Sequence, residues 1–122
     1  MSTAYSDLRV WQKAMELVFH VYSCTRSFPR EELYGLSSQM RRSAVSVPSN
    51  IAEGKGRFSR KELVQFLFHA RGSLRELETQ ILIAGRLGYL DSKTTDLLCS
   101  ESAEIARMLN GLVSRFQPAE RW

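Results

Sequence analysis

The chain has 122 residues, with 17 Lys+Arg against 13 Asp+Glu and a formal net charge of +4. That length fits one domain and leaves no room for two ordinary ones. A hydrophobic content of 43% excludes wholesale disorder, and three Pro and seven Gly exclude collagen-like or low-complexity architecture. No apolar run approaches the roughly 18–20 residues of a membrane span. The first ten residues lack the basic and apolar regions of a signal peptide. Two cysteines, Cys24 and Cys99, do not make a disulfide framework. The expectation is a single soluble, cytoplasmic domain over 1–122 with no membrane partner.

The periodicity is helical throughout. Val10, Ala14, Leu17, Val21, Cys24 and Phe28 step by alternating fours and threes, a stripe along one helix face. Asp7 is the candidate cap of this first helix and Pro29 its stop, predicting a helix over 8–28. Leu36, Met40, Ala44, Val47 and Ile51 make a second stripe over 35–54, which stops at Gly54. Leu63, Leu67, Ala70, Leu74, Leu77, Ile81 and Ala84 make a third over 60–87. It opens with Ser59 and Glu62 spaced as a capping box, and Gly88 follows as a C-terminal cap. Leu98, Ser102, Ile105, Leu109, Leu112 and Phe116 make a fourth over 92–116, starting near Asp91 and ending before Pro118. Residues 117–122 are expected to fray. No stretch alternates like a half-buried strand. Four helices with short connections predict an all-α, antiparallel up-down four-helix bundle.

Two features sit awkwardly in a free-standing bundle. With Leu67 and Leu74 at heptad a positions, Phe66 falls at g, Phe68 and Leu82 at b, Ile83 at c and Gly72 at f, the outer face. A mid-helix Gly costs about 1 kcal/mol against Ala. The third helix is therefore read as a subunit interface, an apolar stripe of Phe66, Phe68, Leu82 and Ile83 beside the small-residue notch Gly72 and Ser73. Pro48 lies inside the second stripe, removes one amide and crowds the Ala44 carbonyl, so a kink is expected there. Ser46, Ser49 and Asn50 can satisfy the freed groups.

Charge is unevenly spread. Between Arg41 and Arg75 lie eight bases, Arg41, Arg42, Lys55, Arg57, Arg60, Lys61, Arg71 and Arg75, against only Glu53 and Glu62. The remainder holds nine bases and eleven acids. Clustered Lys and Arg are the footprint of backbone recognition of RNA or DNA, and these eight are the candidate nucleic-acid-binding residues. The turn Gly54-Lys55-Gly56-Arg57 precedes a helix N-terminus, where free amides favour phosphate. It follows no strand, so it is not a Walker or dinucleotide fingerprint. Phe58 is the one stacking group in the turn.

Catalytic and metal patterns are weak. Glu16 and His20 lie four apart, whereas di-iron bundles need Glu and His three apart with several carboxylates. His69 has no carboxylate three or four residues away. Cys24 and Cys99 read as small core hydrophobes and do not make a zinc set. No hydroxyl has an identifiable base beside it. The expectation is no catalytic residue, no metal and no cofactor.

Four strings carry a resemblance: Leu8-Arg-Val-Trp-Gln-Lys-Ala-Met-Glu-Leu-Val18, the run from Tyr34 through Arg41-Arg42, Val47-Pro48-Ser49-Asn50 and Glu53-Gly54, the run Ala70-Arg-Gly-Ser-Leu-Arg-Glu-Leu-Glu-Thr-Gln80, and Arg107-Met-Leu-Asn-Gly-Leu112. Together, from about Tyr5 to Phe116, they closely resemble the four-helix-bundle family encoded in intervening sequences of bacterial 23S ribosomal RNA genes, often labelled S23-like. Lys55 stands where that family often has an aromatic or hydrophobic residue, making the turn more basic. The resemblance implies an up-down bundle, assembly as a ring-like homopentamer and no established catalytic activity. The family is also similar to the accessory variability protein of diversity-generating retroelements, a basic pentamer that binds nucleic acid and a reverse transcriptase. The expected function is a non-catalytic homo-oligomeric bundle binding RNA or DNA backbone. The alternative is a scaffold docking an acidic protein partner such as a reverse transcriptase.

Overall fold

In the computed structural model, residues 4–116 are described, and the expected fraying of 117–122 lies outside them. Four helices follow a short 3-10 turn at Tyr5–Asp7: α1 (Arg9–Thr25), α2 (Leu36–Lys55), α3 (Arg60–Arg86) and α4 (Ser92–Phe116), with a second 3-10 turn, Arg30–Glu32, between α1 and α2. No strand occurs among the described residues. Each helix packs on its two neighbours, α1 on α2, α2 on α3, α3 on α4 and α4 back on α1, so the bundle is a closed antiparallel ring. No described helix is long and apolar enough to cross a membrane.

The core is the sum of the four stripes. Val10, Ala14, Leu17 and Val21 of α1, Met40, Ala44, Val47 and Ile51 of α2, Leu67, Ala70, Leu74, Leu77, Ile81 and Ala84 of α3, and Leu98, Ile105 and Leu109 of α4 are all buried. Fully burying one such Leu or Ile contributes about 1.5–3 kcal/mol.

The helix ends correct some expectations. Asp7 does not cap α1; it sits in the 3-10 turn, and Leu8 occupies the cap position with no side-chain bond. The first helix ends at Thr25, three residues short of Phe28. Ser27 Oγ donates to the Cys24 carbonyl (3.1 Å) and the Phe28 amide to the Thr25 carbonyl (3.2 Å), which satisfies two terminal carbonyls, and Pro29 has no amide with which to continue the ladder. Phe28 stays buried and packs on Tyr89 with ring centroids 5.3 Å apart. Apolar periodicity therefore runs on past the helix into the loop.

Helix α2 continues through Pro48 without interruption. Ser49 Oγ donates to the Val45 carbonyl and Asn50 Nδ2 to the Ser46 carbonyl, both at 2.8 Å, which reinforces the turn that lacks the proline amide. Ser59 caps α3 by accepting from the Glu62 amide (3.1 Å), but the Glu62 carboxylate accepts from the Ser59 hydroxyl and not from its amide. Only half of the expected capping box is made. At the other end of α3 Gly88 has φ +81°. The Tyr89 amide reaches the Ala84 carbonyl and the Gly88 amide that of Gly85, a Schellman closure.

Two glycines on neighbouring helices have opposite surroundings. A Cβ on Gly54 would lie 2.8 Å from Phe66 Cβ, whereas one on Gly72 would meet nothing within 4 Å among the described residues. Gly54→Ala is expected to lower stability by about 1–3 kcal/mol through overpacking. Gly72→Ala is expected to raise it by about 0.5–1 kcal/mol through helix propensity. Urea unfolding followed by circular dichroism measures both; a loss at Gly72 would mean that its surface is covered.

Asp91 caps α4, its Oδ1 accepting from the Thr94 amide at 2.7 Å, and that bond holds its carboxyl below the usual range against a small opposing desolvation. A depressed carboxyl stabilises the fold above the unfolded aspartate value, about 4, and loses that contribution as pH falls through its folded value. The stability gap between wild type and Asp91→Asn should therefore be flat from neutral pH to about 4 and close below it. A gap that widened on acidification would contradict this sign.

Candidate nucleic-acid interface

The bases of the sequence cluster do not form one patch. A helix rises 1.5 Å per residue, so Arg42 lies about 20 Å along α2 from Lys55. Successive residues also turn about the axis and distribute the charges among different seams. Arg41 is half-buried on the α1 side, where its Nε donates to Thr25 Oγ1 (2.8 Å) and its guanidinium lies 4.8 Å from the Tyr22 ring centre. Arg42 lines a cleft between α2 and α3. Arg71 and Arg75 face α4; Arg71 donates to Asn110 Oδ1 (2.8 Å) and covers the Phe68 ring.

The other four do converge. Lys55, Arg57, Arg60 and Lys61 surround the α2–α3 turn, with Phe58 fully exposed at its tip. Arg57 is partly neutralised, paired with Glu53 and 3.9 Å from Glu62, and it stacks 4.8 Å from the Phe66 ring centre. Lys55, Arg60 and Lys61 make no ion pair among the described residues.

Antiparallel packing adds two bases that sequence adjacency hides. The N-terminus of α1 and the C-terminus of α4 lie at this same end of the ring, which puts Arg9 and Arg115 at the end that the turn closes. Six bases, Arg9, Lys55, Arg57, Arg60, Lys61 and Arg115, thus face three acids, Asp7, Glu53 and Glu62. The opposite end is balanced: Arg26, Arg30, Arg86 and Lys93 are matched by Glu31, Glu32, Asp91 and Asp96. The bundle carries its excess positive charge at one end.

The apolar residues of the third helix are also separated. Phe66 is half-buried against Arg57 and His69 (ring centroids 5.8 Å apart), and Phe68 lies under Arg71. Ser73 Oγ bonds Ser46 Oγ within the chain (2.8 Å), and Gly72 faces open space. Leu82 and Ile83 are half exposed, more than 20 Å further along α3 from Phe66. A larger apolar surface lies elsewhere. Tyr5, Trp11, Met15, Phe19, Tyr22 and Val45 line a groove of about 600 Å³ between α1 and α2, in which Phe19 is 64% exposed. Trp11, Met15, Phe19 and Tyr22 step by 4, 4 and 3 along α1, a second stripe beside the core stripe that was available in the sequence.

The remaining candidates for chemistry are dispersed. His20 bonds Glu101 of α4 through Nδ1 (2.7–2.8 Å), not Glu16. Burial raises the Cys24 thiol, opposed by a backbone hydrogen bond and by Arg41. Burial also raises the Cys99 thiol, together with Glu78 and Asp96. Among the described residues no three His, Cys, Asp or Glu side chains group as a metal site. Both thiols are expected to react slowly with a maleimide at pH 7 in the folded chain and rapidly in urea; fast labelling of the folded chain would contradict their burial.

The sequence profile of the 23S rRNA-intervening sequence protein family matches residues 6–111. No curated protein matches the chain. Among solved structures, it is similar to a protein of unknown function from the S23 ribosomal protein family of Bacteroides thetaiotaomicron. The two are 22% identical with a TM-score of 0.77, over 85% of this chain and 97% of that one. That likeness is one of fold.

Proposed function

The chain belongs to the 23S rRNA-intervening sequence protein family, and from that premise we propose that it is a non-catalytic, self-associating bundle that binds nucleic-acid backbone through its basic end. The observation that carries this reading is the convergence of Arg9, Lys55, Arg57, Arg60, Lys61 and Arg115 at one end, with the opposite end balanced. Phosphates lie close enough together on a nucleic acid for each exposed base to displace a condensed counterion, so affinity comes from charge and carries little sequence information. Phe58, standing out from the middle of the turn, offers one face on which an unpaired base can stack. Self-association would place several such ends together and enlarge the field. The α1–α2 groove supports that part of the reading better than the third-helix stripe does, because its exposed aromatics are contiguous.

Titration of labelled RNA and DNA, single-stranded and duplex, at several salt concentrations tests the binding. Replacing Lys55, Arg60 and Lys61 by Ala is expected to weaken binding at least tenfold at low salt and to reduce the salt slope by about two to three. The same change at Arg26, Arg30 and Lys93 should alter little. Equal losses at both ends would overturn the placement. Salt-insensitive binding, or none, would point instead to an acidic protein partner. For self-association, Phe19→Glu should reduce the mass measured by light scattering, and a monomeric wild type would refute it.

A further inference from the structure

The seam between α2 and α3 is polar along much of its outer side. Leaving the basic turn, it presents Asn50, whose Nδ2 donates to the Ser46 hydroxyl (3.0 Å), and then the Ser46–Ser73 pair at 2.8 Å. One turn further it opens into a cleft of about 170 Å³ lined by Gln39, Arg42, Ser43, Ser46, Glu76 and Gln80. This is room for roughly five or six liquid-packed waters, the scale of one nucleobase rather than of a whole nucleotide.

Three features of the cleft point to a ligand. Every lining residue is polar, so the cleft is not a packing defect between apolar stripes. Gln80 is only 7% exposed, and its Oε1 is buried with no hydrogen-bond partner among the described residues. An orphaned carbonyl of this kind costs about 1–3 kcal/mol, and the soft terminal torsion of Gln lets it turn toward a donor in the cleft. Finally, Arg42 and Glu76 stand on opposite helices, and neither makes an ion pair among the described residues. The cleft therefore offers a forked cationic donor on one wall and anionic and neutral acceptors on the other.

We propose that this cleft takes a guanine base from a single strand that crosses the basic turn, an assignment that rests on the backbone-binding reading above. The donor and acceptor pattern selects the base. Guanine alone places two adjacent N–H donors, N1 and N2, beside the acceptors O6 and N7. The Glu76 carboxylate accepts from N1–H and N2–H. The Arg42 fork donates to O6 and N7, and the Gln80 carbonyl takes the remaining N2 hydrogen. Adenine would set its N1 lone pair against Glu76, and uracil has one N–H between two carbonyls. Position fits as well: Arg42 lies about 20 Å along α2 from Lys55, so a strand held by the turn reaches the cleft within a few nucleotides. Backbone contacts at the turn would supply affinity, and the cleft would supply base choice.

The test uses fluorescence anisotropy with the full chain and three labelled 12-nucleotide RNAs: all uridine, uridine with one central guanosine, and uridine with inosine at that place. The guanosine strand is expected to bind about tenfold more tightly than all-uridine. Inosine, which lacks the N2 amino group, should lose most of that gain, and Glu76→Gln should abolish the difference between the guanosine and uridine strands. Equal affinities with a steep salt dependence would overturn the cleft assignment while leaving backbone binding intact. If no strand binds at low salt, backbone binding fails, and the cleft is judged alone by amide NMR spectra with guanosine and adenosine monophosphates. Shifts around Ser43, Glu76 and Gln80 with the guanosine nucleotide only would sustain it; no shifts, or the same shifts with both, would overturn it.

Discussion

The close approach of α2 and α3 at Gly54 is the constraint on which the rest of the molecule depends. With no side chain at Gly54, Phe66 and Leu63 lie against the α2 backbone, and any Cβ there would collide with Phe66. That contact fixes how far the two helices separate at the turn, and the Ser46–Ser73 hydroxyl pair fixes their register about two turns away. From these two points follow the projection of the basic turn beyond the helix ends and the alignment of Arg42 on α2 with Glu76 and Gln80 on α3. A shift of one residue along α3 would rotate its side chains by about 100° and break that alignment.

The distribution of charge is a property of side chains rather than of helix dipoles. In an antiparallel ring each end holds two helix N-termini and two C-termini, so the macrodipoles largely cancel. What distinguishes the ends is which residues close them. The far end is tied by neutral packing and by local bonds: Phe28 on Tyr89, the Tyr89 hydroxyl donating to Glu32 at 3.0 Å, and Glu32 accepting from the Leu36 amide. Two of its acids, Glu32 and Asp91, accept cap bonds, and its positive and negative charges balance. At the near end Lys55, Arg60 and Lys61 are committed to no ion pair among the described residues. An end built of uncommitted cations carries a self-repulsion that a fold would not need for its own stability.

The helices were legible in the sequence because each buries one face, and a 3.5-residue stripe of Leu, Ile, Val and Ala records that burial directly. The limits were legible where local chemistry alone decides them, as at Ser59 and Gly88, and not where side chains compete for the backbone. Ser27 and Phe28 close the last turn of α1 through local bonds that no apolar pattern encodes. The candidate site was half legible. The turn bases are adjacent in sequence and in space, but Arg9 and Arg115 join them only through the ring topology. Arg41, Arg42, Arg71 and Arg75 leave the turn because a helix separates its residues both by rise and by rotation. The third-helix stripe is divided for a related reason. Phe66 and Phe68 look unpartnered by heptad position, yet Arg57 and Arg71 lie over their rings.

These stacked arginines also clarify why the polar seam differs from the surfaces on either side of it. On the α1 side Arg41 is spent on Thr25 and Tyr22, and on the α4 side Arg71 is spent on Asn110 and Phe68. Arg42, between them, has no such partner among the described residues. It shares its cleft with a carboxylate that it does not pair and with an amide whose oxygen is unsatisfied. A cleft meant only to separate two helices would be stabler filled by apolar side chains, since burying an unpaired amide oxygen costs more than burying a methyl. Gln80 at that depth is therefore the strongest support for the proposed base-binding role of the cleft.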